Sequence, residues 1–197
     1  TQLVLNTDTA IDVHVDAKAR AIVLHAGELH VGTAPDLLTP ARPFLVHSRN
    51  GVVRALGTHF SVRHGGSLLA PRTQVGVSQG AVEIQPAQAP QALRLVNAGQ
   101  QGSFDDTAVS PLTPLAPHAG AWLQGVLIAE RMPLGEVLES VARYRYGVIR
   151  CDPALAAMPV DGIFQLQDPE KILALLQHSL PIRMTRRTRY WISVEAA

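Results

Sequence analysis

The 197-residue sequence holds one cysteine, Cys151, so no disulfide can form within the chain and the redox compartment stays open. It lacks an excess of either charge. Seventeen Lys and Arg against 16 Asp and Glu leave a net charge of +1, and no global field marks a polyanion binder. Aromatic residues make up only 5%, and the first 104 residues hold just Phe44, Phe60 and Phe104. Long apolar runs are missing too: "AIVL" and "GVLIA" fall far short of the roughly 18 residues that span a bilayer. No signal peptide stands at Thr1 and no initiating Met precedes it, so the sequence reads as an excerpt whose targeting segment lies upstream. The phosphate loops GxGxxG and GxxxxGK[ST] do not occur, nor do HExxH or CxxC. His25 and His30 are five apart, as are His59 and His64, a spacing that puts each pair on opposite faces of a strand. No carboxylate pair or nucleophile triad suggests itself, so the expectation is a protein that is not an enzyme and takes neither cofactor nor metal.

What is present is core material. Apolar residues reach 47% and charged ones only 17%, which argues against disorder. Cys151, in the apolar stretch "GVIRC", reads as a small core residue.

From Leu3 to about Phe104 short alternating runs are broken by turn residues. In "AIDVHV", Ile11, Val13 and Val15 alternate with polar neighbours; Gly27-Glu28 and Ser78-Gln79-Gly80 interrupt later runs. Nothing sustains a helical period, so residues 1–104 are expected to form an all-β sandwich or barrel-like domain. In "VRALGTHFSVR" the alternation changes phase at Gly57-Thr58. A bulge at Gly57 would let Leu56 and Phe60 both reach apolar surroundings.

Between 105 and 120, Pro111, Pro114 and Pro117 stand three apart, the pattern of a semi-rigid spacer rather than a strand. Residues 121–197 then read as a small βαββαββ domain, making the whole chain α+β. "MPLGEVLESVARYRYG" is the first expected helix, with Pro133 at its first position, Leu134, Val137, Leu138 and Val141 on one face, and Gly147 closing it. Glu136 and Glu139 fall on its solvent side. The second helix has Asp168 as N-cap, Pro169 in the first turn, and Ile172, Leu175 and Leu176 on its apolar face. Two strands close the chain, joined around Arg187-Thr188, and both helices are expected to cover one face of a small sheet.

Arg183, Arg186, Arg187 and Arg189, with Tyr190 and Trp191 alongside, form the clearest local charge signal. They read either as the solvent face of a terminal hairpin, with Tyr190, Ile192 and Val194 turned inward, or as a patch for an acidic or protein partner. The first helix ends in Arg143, Tyr144, Arg145 and Tyr146, residue types enriched at interfaces. The candidate partner-binding residues are therefore Arg143, Tyr144, Tyr146, Arg183, Arg186, Arg187, Arg189 and Tyr190. A free sheet edge in this domain offers a second way to hold a partner, by strand addition.

The succession of "RPFLV", "LGTHFSV", "VGVSQGAVEI" and "LVNAGQ" resembles the FecR-type sigma-factor regulators over Leu3 to about Phe104. The signature residues are Pro43, Phe44, Gly57, Thr58, Phe60, Gly80 and Gly99. The second half, with Pro133 and Leu134 in "PLGEVLESVARY" and Gly162 and Phe164 in "PVDGIF", is similar to the secretin/TonB short N-terminal (STN) domain. The resemblance implies the periplasmic, soluble region of a single-pass inner-membrane anti-sigma regulator. Its implied partner is the N-terminal signalling domain of an outer-membrane TonB-dependent siderophore transducer. An extracytoplasmic-function sigma factor would be bound only through a cytoplasmic segment this sequence does not include, and no nucleic acid or small molecule would bind directly. Two other classes remain: an extracellular carbohydrate-binding module, which needs aromatics lining one face, and a secretin or pilus-assembly component.

Overall fold

Alternation with a period of two becomes strand after strand in the first part of the chain. A computed structural model describes residues 1–67 and 70–197, and the chain divides into the units Thr1–Ala119 and Gly120–Ala197. In the first unit the strands are β1 (Gln2–Leu5), β2 (Ala10–Val15), β3 (Arg20–Ala26), β4 (Glu28–Gly32), β5 (Phe44–Ser48) and β6 (Gly51–Ala55). They continue with β7 (His59–Ser67), β8 (Ala70–Gln79), β9 (Ala81–Pro86), β10 (Arg94–Asn97), β11 (Gln100–Phe104) and β12 (Thr113–Pro114). Two six-stranded sheets result, ordered β1-β4-β7-β8-β11-β12 and β10-β9-β6-β5-β3-β2. Both are open, so the barrel-like alternative is corrected. Ile22, Val46, Val53 and Ile84 of one sheet and Leu29, Phe60, Val75 and Phe104 of the other belong to one buried cluster. The period-two pattern thus points each strand's apolar side at a shared core.

The phase slip at Gly57 has a different cause from the one expected. β6 and β7 lie in different sheets, so the chain changes sheet at Leu56-Gly57-Thr58 rather than bulging within one strand. Each sheet needs its own inward set, and the alternation restarts. Leu56 is 46% exposed, contrary to expectation, whereas Phe60 and Thr58 are buried. The corner is tied by Thr33: the Thr58 N–H donates to Thr33 Oγ1 at 2.7 Å, and the Thr33 N–H to the Thr58 carbonyl at 2.9 Å. Gly57 has φ +87°, and a Cβ there meets nothing within 4 Å. Gly80, at φ +73°, lies directly against the corner: a Cβ would sit 2.2 Å from the Gly57 carbonyl oxygen. Gly27 and Gly99, also at positive φ, mark two further passages from sheet to sheet.

The proline-rich segment 105–119 belongs to the first unit instead of forming a spacer. Thr113 and Pro114 pair with Gln101 and Gln100, and Phe104 bridges Val109. Two glycines make room for two leucines. A Cβ on Gly102 would lie 2.7 Å from Leu112 Cδ2, and one on Gly76 2.8 Å from Leu115 Cδ1. Proline spacing signals extended backbone, and extended backbone beside an unpaired edge becomes a strand when its apolar side chains find notches.

In the second unit, β13 (Val126–Pro133) precedes α1 (Leu134–Ala142), followed by β14 (Val148–Cys151), β15 (Pro159–Gln165), α2 (Pro169–Ser179), β16 (Ile182–Thr188) and β17 (Trp191–Ala196). The expected single sheet is two: β13 pairs with β15, and β14-β17-β16 form a three-stranded sheet in which β14 runs parallel to β17. Leu134, Val137, Leu138 and Val141 of α1 pack with Ile172, Leu173 and Leu176 of α2 and with Phe164, Ile182, Ile192 and Val194. Ile172 and Leu176 face this core as expected, but the third residue is Leu173 rather than Leu175, which is 47% exposed. Pro133 ends β13 and immediately precedes α1, so it is the cap position rather than the first helical residue. α1 stops at Ala142, five residues before Gly147. Asp168 caps α2, accepting the Lys171 N–H at 3.0 Å, with Pro169 in the first turn. Gly162 gives space to the Phe164 ring, whose Cζ would lie 2.9 Å from a Cβ there. Cys151 is half-buried against the core, and burial raises its thiol pKa, as suits an inert packing residue.

Candidate partner-binding surface

Two segments that the sequence separates by some 40 residues meet at one end of the second unit. The chain leaves α1 through Arg143–Tyr146 and enters β14 at Val148. The β16–β17 hairpin turns at Arg189-Tyr190, two residues later than expected, because Arg187 is taken up by a register shift between Arg186 and Thr188. The Val148 N–H donates to the Tyr190 carbonyl at 2.7 Å. Gly147 allows this approach: with φ +110°, its absent Cβ would lie 2.1 Å from that same oxygen. The helix exit and the hairpin tip are therefore one surface.

An open cleft of about 790 Å³ lies between them, lined by Arg145, Tyr146, Gly147, Glu170, Arg189 and Tyr190. Glu170, in the first turn of α2, bridges two guanidiniums. Its Oε1 accepts from Arg145 Nε at 3.2 Å, and its Oε2 accepts from Arg186 Nη2. The Arg186 hydrogen bond first, and the Arg145 one after it, hold the Glu170 carboxyl below the usual range. The Arg145 side chain is only 5% exposed, and its Nη1 is buried with no hydrogen-bond partner. At the tip, the Arg189 guanidinium lies 4.5 Å from the Tyr190 ring centroid. Tyr146 is 87% exposed and Tyr190 48%.

Of the residues expected here, Arg186, Arg189, Tyr190 and Tyr146 come together, and Arg187 lies on the adjoining exposed strand end. Arg143 and Tyr144 sit half-buried on the α1 exit outside the cleft lining. Arg183 is apart: it stands opposite Glu195 toward the other end of β16. Tyr190 points outward at the turn, while Ile192 and Val194 face inward as expected. Sequence reasoning missed Glu170 and left Arg145 out of the site; an acid in a first helical turn is explained by the helix dipole alone. Trp191 adds apolar surface opposite the exposed Val148 in the β14–β17 ladder.

Two crystal structures of a candidate anti-sigma factor from Parabacteroides distasonis share the fold. One has a TM-score of 0.73 at 23% identity, covering 99% of this chain and 90% of that one; the other has 0.72 at 22%, covering 99% and 89%. Residues 1–83 match the family model of the FecR protein. A comparison with curated proteins gave no match.

Proposed function

We propose that the chain is the periplasmic signalling region of an inner-membrane regulator of an extracytoplasmic-function sigma factor. In this reading the second unit is an STN-like domain that docks the N-terminal signalling domain of an outer-membrane TonB-dependent siderophore transducer. The FecR match supports the sigma-regulatory role. The observation that carries the docking is the convergence of Arg145, Tyr146, Arg189 and Tyr190 on one cleft. Arginine and tyrosine combine large contact area with directed hydrogen bonds, which is why they dominate binding hot spots.

The edge of β14 extends this surface. Val148 and Asp152 donate to Tyr190 and Val194 beside β17, at 2.7 and 2.9 Å. In a parallel ladder the intervening Ile149 and Cys151 N–H groups then point to the opposite side, where no strand pairs among the described residues. A partner strand laid there would pass Tyr146 and Arg150.

Titrating a transducer signalling domain into 15N-labelled protein tests the proposal. Shifts should cluster at Arg145–Val148, Glu170 and Arg186–Trp191. No binding, or shifts confined to residues 1–119, would overturn it. The carbohydrate-binding alternative loses its platform, because Phe44, Phe60 and Phe104 are all buried.

A further inference from the structure

The carboxylate geometry in the cleft says more about the partner. The best-made Arg–acid pair of the first unit is two-pronged: Arg42 Nε and Nη2 hold Asp36 Oδ2 and Oδ1, each at 2.9 Å, whereas Arg54–Glu83 and Arg72–Asp105 are single contacts. Glu170 does not do this for either of its arginines. Each guanidinium receives one oxygen, Arg145 through Nε and Arg186 through Nη2. Arg145 keeps a buried Nη1 with no partner, and its Nη2 reaches only the Arg189 carbonyl at 3.5 Å. A buried guanidinium N–H without an acceptor is unfavourable, so the cleft retains an unmet demand for a negatively charged oxygen. Arg189 at the rim adds a third guanidinium against the one carboxylate. Glu170 is itself 46% exposed and so has space to swing aside.

We infer that Glu170 is a stand-in carboxylate, and that the partner is an extended acidic segment whose own Asp or Glu displaces it. This rests on the docking reading above and names the chemistry of the docked segment. The incoming carboxylate takes Arg145 through two parallel N–H donors, the arrangement that adds most to a charge-assisted pair. Glu170 stays with Arg186. Tyr146 and Tyr190 flank the segment, and an apolar residue next to the acid lies over Val148 and Trp191, which stand opposite each other on the exposed side of the β14–β17 pair.

Both tryptophans and all three tyrosines lie beyond residue 119, so intrinsic fluorescence of the full chain reports on this unit. The probe is a capped peptide of alternating Glu and Val, compared with its Gln-for-Glu counterpart. The acidic peptide should bind and the amide peptide should not, with affinity falling about tenfold from about 25 to about 250 mM salt. Glu170→Gln removes the competing charge and should tighten binding by about threefold. Arg189→Gln, a fully surface change, should weaken it. Arg145→Gln should abolish it, with far-UV circular dichroism checking that this buried variant still folds. Equal behaviour of the two peptides, absence of binding by both, or weaker binding by Glu170→Gln would overturn the exchange. A transducer domain that binds while the peptides behave alike sinks the exchange and leaves the docking reading standing. A domain that fails to bind while the acidic peptide succeeds does the reverse.

Discussion

The first unit holds three aromatic side chains, Phe44, Phe60 and Phe104, none more than 6% exposed; the second holds every tryptophan and tyrosine, with Tyr146 at 87%, Tyr190 at 48% and Trp191 at 38%. Phenylalanine has no polar handle and is most stable inside, whereas tyrosine and tryptophan can work half in water. One ion pair from each unit makes a similar contrast. In the first unit Arg42 is locked on Asp36; in the second, Arg145 and Arg186 share one carboxylate. One unit spends its side chains on holding two sheets together, the other leaves Arg and Tyr at a surface. The difference sets buried aromatics before residue 119 against exposed ones after it, and under the proposed docking the second unit carries the recognition.

The largest expected effect tests the frame. Gly80→Ala places a Cβ at 2.2 Å from the Gly57 carbonyl oxygen at positive φ. Backbone strain and forced displacement together should cost about 3 kcal/mol or more. Gly57→Ala, at the same corner but with open space around its Cβ, carries only the backbone part, about 1 kcal/mol. Amide exchange of Val53, Phe60 and Val82 measures both, since fluorescence reports on the other unit. Equal losses would mean that the corner is not held by the Gly80 approach.

The next effect concerns residues 105–119. Leu112→Ala and Leu115→Ala each empty a notch above a glycine and should destabilise the first unit by about 1–2 kcal/mol, as half-buried leucines do. In the second unit, Leu175→Ala removes a side chain that is 47% exposed and should stay within about 0.5 kcal/mol. If the two classes change stability alike, the segment is a free linker after all.

These variants also show what could be read from the residues alone. Alternation revealed the strands, and the period of α1 revealed Leu134, Val137, Leu138 and Val141 as its buried face. The choice of sheet for each strand was hidden, because period two fixes a strand's faces but not its neighbours. Positive-φ glycines at 27, 57, 80 and 99 are the physical trace of those changes of sheet, and an isolated glycine looks the same at a bulge. Prolines at 111 and 114 masked a strand whose pairing depends on Gly76 and Gly102 far away in sequence. At the cleft, Arg186, Arg189, Tyr146 and Tyr190 were legible as residue types. Glu170 was not, since its role arises only when α2 brings it between two distant arginines.

A third comparison separates stability from recognition in the second unit itself. Tyr146→Ser should leave the melting curve within about 0.5 kcal/mol, because the side chain is almost fully exposed. Binding of the transducer domain should weaken by about tenfold, the loss of one aromatic anchor. A variant that binds normally would place recognition elsewhere on this unit, with the β14 edge next in line.

The smallest effect is a pH response in the frame. His30 and His59 lie across β4 and β7 with ring centroids 6.1 Å apart, and His30 Nδ1 is 3.1 Å from Ser61 Oγ. Gly32 makes the pair possible, since a Cβ there would lie 2.9 Å from His59 Cε1. Burial first, and the neighbouring His59 second, lower the His30 pKa below 6.5. The unfolded chain therefore takes up a proton at His30 more readily than the folded one does. The neutral ring's contribution is complete above pH 6.5 and is lost as pH falls from there through the lower folded value. Thermal melts of wild type and His30→Gln at pH 7.5, 6.5 and 5.5 isolate this group, because the other histidines are common to both proteins. Wild type should lose stability toward pH 5.5 faster than the variant, by an amount small beside the Gly80→Ala loss. Parallel curves would show that the pair is solvated like any surface histidines, and that the outer face of this sheet is less closely built than its core.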